Sequence, residues 1–489
     1  MANVLLTHSY FLRLDPKQWK QQQPYAPLGT LYAAAVLRES GHTIALHDTM
    51  FSITAEEITP VLKREHPEYL VIYDDGFNYL TKMCLTNMRE AAFKMANIAK
   101  QKGCKVIVSS SDSTDHPNEY IEHGADYIII GEGEMTLLEL INDLEKDGKD
   151  IETIPGLAYK KDGQVVINHK REVRKDLDSL PMAAWDLINI TPYKEAWKNN
   201  WGYFSINMAT TRGCPFKCNW CAKPIYGNRY NSRSPKNVAE ELIYLKTHFN
   251  PDHIWFCDDI FGLKPMWIKE FADILEQMNT RIPFKIQCRA DLLLQENFVM
   301  ALAKAGCESV WMGAESGSQK ILDAMDKGIK VSQIYEATRL LKKHHIKPAF
   351  FLQFGYPGET MEDIHHTIKM LLTLMPSDIG ISVSYPLPGT LFYQRVKNEL
   401  KQKANWTHSD ELALLFKNTY PPEFYKQLHR FVHKIYKGKQ ALISLENILK
   451  RPLSMSYREL RNGLSILYYF PASYIYKWKM LTHEKFYSS

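Results

Sequence analysis

Two stretches of this chain alternate short apolar, β-rich runs with helical patterns, and that alternation restricts the fold more than any other feature. In the first stretch the runs are Val4–Leu6, Thr43–Leu46, Tyr69–Tyr73, Val106–Val108 and Tyr127–Ile130, with helical patterns near 28–40, 54–65, 88–102, 116–123 and 135–146. Parallel neighbours need crossover connections, so residues 1–150 are predicted to form a doubly wound, Rossmann-like parallel sheet of the α/β class. In the second, runs at Phe204–Ala209, His253–Cys257, Phe284–Cys288, Ser309–Met312, Ala349–Gln353 and Ile379–Val383 predict a partial barrel of six β/α units over 201–400. Between them, residues 151–200 read as a linker whose Asp162-Gly163 pair suits the tight turn of a hairpin. Residues 401–489 are helical, basic and aromatic, and read as a C-terminal cap.

Chemistry concentrates in one loop after the first barrel run, Arg212-Gly213-Cys214-Pro215-Phe216-Lys217-Cys218-Asn219-Trp220-Cys221, with cysteines spaced C-x3-C-x2-C. Three thiolates can hold a [4Fe-4S] cluster and leave one iron without a protein ligand, open to a small molecule. A structural zinc knuckle completed by His248 or His253 is the plainer alternative, since thiolate and imidazole suit zinc equally well. The remaining cysteines, Cys84, Cys104, Cys257, Cys288 and Cys307, are scattered singly in core-like segments, so reduced thiols are expected rather than a disulfide framework.

The spacing, with an aromatic residue before the last cysteine, resembles the radical S-adenosylmethionine (SAM) superfamily. The resemblance implies that Cys214, Cys218 and Cys221 hold the cluster, that SAM chelates the open iron, and that one electron cleaves it to a 5′-deoxyadenosyl radical. It also assigns SAM contacts to Trp220 and to barrel strand ends, where Asp258 and Asp259, Arg289, and Glu315 with Ser316 stand. Duller roles for these residues are strand-end ion pairs and helix caps.

Residues 1–150 lack a G-x-G-x-x-G after the first strand, which argues against a dinucleotide. They resemble instead the cobalamin-binding domain fused to many radical SAM enzymes, in the opening Pro27–Tyr32, in Glu39–His42 and in Gly131–Glu134. That resemblance places Thr7, Leu28, Gly29, Ser109, Ser110, Gly131, Glu132 and Gly133 against the corrin. The D-x-H-x-x-G signature of a histidine axial ligand is absent, although His8 stands in the corresponding loop. A methylthiotransferase would need three further cysteines near the N-terminus, and only Cys84 and Cys104 are there.

The expected activity is C-methylation of an unactivated carbon by a cobalamin-type radical SAM enzyme. An anaerobic oxidative cyclase or ring rearrangement on a porphyrin or other natural-product precursor, similar to the magnesium-protoporphyrin monomethyl ester cyclase, is the alternative. A non-catalytic iron-sulfur electron carrier is the contrasting class, and three cysteines argue against it. The expected partners are a small-molecule substrate and a reductant such as flavodoxin or ferredoxin. A net charge of +5 over 489 residues carries no nucleic-acid footprint, and without a signal peptide or long apolar run the chain reads as cytoplasmic. The tail stretches His429–Lys437 and Leu464–Lys479 read first as a lid on the barrel and second as a peripheral membrane contact.

Overall fold

The structure is a computed structural model that describes residues 1–77, 85–400, 405–450 and 456–485. Cys84 falls outside them.

The first alternation folds into a sheet with strands β1 (Asn3–Thr7), β2 (Thr43–His47), β3 (Tyr69–Tyr73), β4 (Lys105–Ser109) and β5 (Tyr127–Ile129), in the order β2-β1-β3-β4-β5 and all parallel. The strand order reverses between β1 and β3, and the crevice beyond the carboxyl ends there is the ligand end of such sheets. The Asp162-Gly163 hairpin, expected in the linker, instead extends this sheet. Its strands β6 (Leu157–Lys161) and β7 (Gln164–Ile167) pair antiparallel, β6 against β5. Pairing with β5 covers an edge that would otherwise expose a row of backbone donors and acceptors.

The second alternation forms six parallel strands in the order β15-β14-β13-β12-β11-β8, the topology of a partial barrel. They are β8 (Ser205–Met208), β11 (His253–Phe256), β12 (Phe284–Cys288), β13 (Cys307–Glu315), β14 (Lys347–Phe354) and β15 (Asp378–Val383), and two short strands, β9 (Thr211–Arg212) and β10 (Asn231–Ser232), pair antiparallel after β8. Period-two alternation sorts the side chains. Ile254, Phe256, Phe284, Ile286, Val310, Met312, Phe350 and Leu352 are buried on the face covered by helices, each removal of such a side chain from water being worth about 1.5–3 kcal/mol. The opposite, concave face carries Trp255, Lys285, Gln287, Trp311 and Phe351, with the Trp311 and Phe351 rings 4.7 Å apart. Residues 24–26 reach from the first half into its lower part, where the Lys285 ammonium donates to the Tyr25 hydroxyl at 2.8 Å and Asn207 donates to the Ala26 carbonyl at 2.9 Å.

The segment around Trp406 joins both halves: Thr86 N–H donates to the Trp406 carbonyl at 2.8 Å, and Asn418 donates to the Gly355 carbonyl beyond β14. The long helix Pro422–Lys450 follows and packs along the barrel, its Tyr436 hydroxyl donating to the Pro376 carbonyl at 2.6 Å. The last helix, Ile466–Lys485, packs on Pro422–Lys450 and leaves Leu467, Tyr474, Ile475 and Trp478 exposed.

Candidate functional site

The cysteine loop sits at the carboxyl end of β8, the functional end of β/α barrels. It is fixed before it begins. Asp258, after β11, accepts from the backbone N–H groups of Thr210 and Thr211, each at 2.7 Å, and from the Thr210 hydroxyl. Burial pushes its carboxyl up to about 6, against the pull of those donors. Asp258, expected to contact SAM, therefore braces the backbone leading into the loop. Gly213 follows at φ +79, and a Cβ there would lie 2.6 Å from the Arg229 carbonyl oxygen; only glycine lets the returning strand pass so close.

Within the loop the cysteines are half-buried and their thiols are close enough to influence one another, with Asp259 beside Cys214 and Cys221. Burial raises the Cys214 thiol and pushes that of Cys221 up to about 11. Among the described residues no three such side chains converge as they would on a single metal ion; of the zinc-knuckle histidines, His253 lies against the Ser205 hydroxyl at 2.9 Å, at the amino end of β8, and His248 against the Tyr244 carbonyl. A cubane cluster binds its thiolates on separate irons, so a spaced trio suits it.

Asn219, which the sequence reading passed over, holds the loop in place. Its side chain donates to the Ala324 carbonyl at 2.7 Å and to Asp326 at 2.8 Å, and accepts from the Tyr356 hydroxyl at 2.7 Å. Its backbone donates to the Met325 carbonyl at 3.1 Å and accepts from Phe392 N–H at 3.0 Å. One buried amide thus ties the cysteines to the segments after β13, β14 and β15.

Two cations stand over the loop, each with its own carboxylate. Arg289, after β12, stacks 3.7 Å over the Phe216 ring, reaches to 4.0 Å of the Cys218 sulfur and pairs with Asp291 at 3.0 Å. Lys327 lies 5.9 Å over the Trp220 ring and pairs with Glu315 at 2.8 Å, both buried. Burial works against the Lys327 ammonium, but the Glu315 carboxylate holds its pKa above the usual value. Glu315 sits at φ +56, in the left-handed region, where the β13–β14 register shifts. The cost of that conformation for a non-glycine residue marks a position held by its surroundings. Gly313 leaves room for the pair, since a Cβ there would fall 2.6 Å from Lys327 Nζ. Ser316 does not share the mouth: fully buried, its hydroxyl lies 3.0 Å from that of Thr367 and accepts from Ser318 N–H.

The residues present fit the cluster and a polar ligand beside it. Three thiols are the donor set for the cluster, and the buried Trp220 Nε1–H has no partner among the described residues. A buried donor without a partner costs about 1–3 kcal/mol unless a ligand supplies one.

The eight positions expected against a corrin are all buried at the carboxyl ends of the first sheet, facing the barrel. Their polar groups are largely engaged by protein: Thr7 donates to the His47 carbonyl at 2.8 Å, Gly29 N–H to Asp75 at 3.3 Å, and the Ser110 hydroxyl accepts from Ser113 N–H at 2.8 Å. Leu28 is core, and a Cβ on Gly133 would lie 2.9 Å from the Ser109 hydroxyl. Glu132 is drawn into an ion-pair group with Arg212. Gly131, at φ +79, faces the Ile225 backbone from the cysteine loop's far end, with ordinary clearance. His8 is held by Asp48 at 2.9 Å and by the Thr49 hydroxyl, so its ring is not presented to the crevice as an axial ligand. A corrin seated there would be held without imidazole. The open cavity between Lys100, Asp126 and Lys160 lies at the amino ends of β4 and β5, the wrong end for a ligand of such a sheet.

Residues 208–371 match the model of the radical SAM superfamily. The chain is 28% identical over 387 residues to an uncharacterized methyltransferase of Pyrococcus horikoshii, covering 78% of this chain and 80% of that one. It is 26% identical to the anaerobic magnesium-protoporphyrin IX monomethyl ester cyclase of Synechocystis, covering 76% and 73%. Among solved structures, the cobalamin-dependent S-adenosylmethionine radical enzyme OxsB with aqua-cobalamin bound shares the fold with a TM-score of 0.72 at 18% identity, over 98% of this chain and 72% of that one. Residues 208–371 are a radical SAM domain, and the chain that carries it is an enzyme.

Proposed function

We propose that the protein is a cobalamin-dependent radical SAM methyltransferase acting on an unactivated carbon of a small-molecule substrate. The observation that carries the reading is the three-cysteine loop at the barrel mouth, bound through Arg212 to the ligand end of a doubly wound sheet. The methyltransferase name of the Pyrococcus relative and the shared fold of OxsB support it. When bound, the cluster and SAM would supply one-electron cleavage and hydrogen abstraction, and cobalamin would supply a methyl carrier.

The protein's part is placement. Cys214, Cys218 and Cys221 would hold the cluster. Asn219 fixes the loop's height above β13 and β14. Trp220, Lys327 and Glu315 present an aromatic face, an ammonium and a carboxylate to one side of the loop, a set that suits a zwitterionic ligand carrying an adenine and a sulfonium. Arg289 offers a guanidinium edge near Cys218, and Asp259 a carboxylate beside Cys214 and Cys221. The half-buried concave wall of Trp311 and Phe351, with the Gln287 amide beside them, makes an aromatic floor for substrate. Gly380 keeps it open, since a Cβ there would meet both rings at 3.2–3.3 Å. A flavodoxin- or ferredoxin-type reductant is the expected electron source.

A second reading, oxidative cyclisation, rests on the similarity to the protoporphyrin ester cyclase. The test is anaerobic reconstitution with iron, sulfide and hydroxocobalamin, then reduction in the presence of SAM with 5′-deoxyadenosine and S-adenosylhomocysteine as readouts. Both nucleosides with retained corrin support methyl transfer, and deoxyadenosine alone supports the cyclase reading. A Cys218→Ala protein that still binds iron and cleaves SAM overturns both.

A further inference from the structure

We propose that the C-terminal helix pair docks this enzyme on the surface of an anionic lipid bilayer, with helix Ile466–Lys485 lying in the interface. The helix is apolar on two opposite sides. One side, with Ala472, Ser473 and Met480, is buried against Pro422–Lys450. The other carries Leu467, Pro471, Tyr474, Ile475 and Trp478, at spacings i, i+4, i+7, i+8 and i+11. That spacing puts them on one stripe. All five are exposed, Leu467 by 76% and Trp478 by 66%. A helix needs one apolar face to pack on its neighbour; the second calls for another partner.

Charge identifies the partner. Residues 422–489 contain twelve Lys and Arg against four Glu, a net of +8, whereas the whole chain carries +5, so everything before the tail is net negative. Lys477 and Lys479, both exposed, flank the stripe on either side of Trp478. An aromatic and aliphatic stripe bordered by lysines places its rings at headgroup depth and its ammonium groups on lipid phosphates. A second copy of the same face would bring like charges together. Among the described residues no helix is long and apolar enough to cross a membrane, so the contact is one of lying on the surface. Tyr468 and Tyr469 are in turn stacked against Lys434, at 4.5 and 5.3 Å, which fixes this helix to the one that packs on the barrel. The docked face is therefore rigidly tied to the catalytic half.

The experiment is co-sedimentation of the full chain with phosphatidylcholine vesicles, with and without phosphatidylglycerol, alongside sedimentation velocity of the protein alone. Binding is expected only with the anionic lipid, and weaker at high salt. Replacing Lys477 and Lys479 by Gln should cost about five-fold each in partitioning, and Leu467→Ser with Trp478→Ser should cost at least as much. These side chains are exposed, so the variants should keep the iron content and melting temperature of the parent. Failure to bind anionic vesicles overturns the proposal. So does binding that neither pair of substitutions weakens, or self-association of the protein that the stripe variant abolishes.

Discussion

Arg212 of the barrel half is bound to Glu134 of the first sheet, Nη2 to Oε1 at 2.7 Å, with both side chains buried. The same guanidinium pairs with Glu132 and is ringed by Tyr32, Phe77 and Tyr226 at 5.2–5.8 Å. Deleting one partner of such a group strands the others without compensation, at about 3–5 kcal/mol. Arg212→Ala should therefore lower the denaturation midpoint more than the combined Arg212→Met, Glu132→Gln and Glu134→Gln variant, which removes every charge together. Urea unfolding of the three proteins decides it, and equal midpoints would mean that the pair contributes little to joining the halves.

Asn219→Ala leaves all three cysteines in place but removes the side-chain hydrogen bonds to Ala324, Asp326 and Tyr356. Groups that orient ligands from behind commonly govern metal affinity by 10- to 100-fold. Iron release to a chelator should be faster by about that factor, with the reconstituted visible spectrum unchanged at the start. A release rate equal to the parent's would show that the loop holds its shape unaided.

Glu315→Gln keeps the size of the side chain while leaving Lys327 buried without its anion. If the pair faces SAM, anaerobic equilibrium dialysis should show binding weakened by roughly 10-fold or more, consistent with an uncompensated buried charge. Glu315→Gln combined with Lys327→Met should recover stability but not binding. Unaltered affinity in both proteins would move SAM away from β13.

Glu359, beyond β14, is fully buried, accepts from Gly355 N–H at 2.7 Å and has a second oxygen without a partner among the described residues. Burial pushes its carboxyl up to about 8 from an ordinary 4.5. A carboxyl that binds its proton more tightly when folded adds stability that is fully present below its unfolded pKa and is lost as pH rises through the folded one. The parent should thus lose stability between about pH 4.5 and 8, on the order of a few kcal/mol. Glu359→Gln should flatten that decline, as followed by melting temperature against pH. A decline of the same depth in the variant would assign it to other groups.

Both sheets were legible because alternation and period are local properties: the six barrel runs and the five runs of the first sheet all became strands. The cysteine loop was legible because its spacing is local too. Direction was not. Asp258 and Ser316 stand at strand ends as expected, yet one turns back to Thr210 and the other into the core, because the register shift near Gly313 and the backbone donors of Thr210 and Thr211 decide where each side chain goes. Asn219 and Arg212 were missed for a related reason. Their partners lie far away in sequence, Arg212 from Glu132 by 80 residues and Asn219 from Tyr356 by 137, and no window of residues contains both ends.

Arg212 stands two residues before Cys214, so the strand that delivers the first thiol is the strand clasped by the other half of the molecule. A barrel expressed by itself would begin its cysteine loop from a loosened anchor, its guanidinium left beside Tyr226 without Tyr32, Phe77 or either glutamate. The thiol loop would then take its final shape only after the two halves have docked, which makes cluster insertion a late event in maturation and makes this barrel a poor module for transplantation.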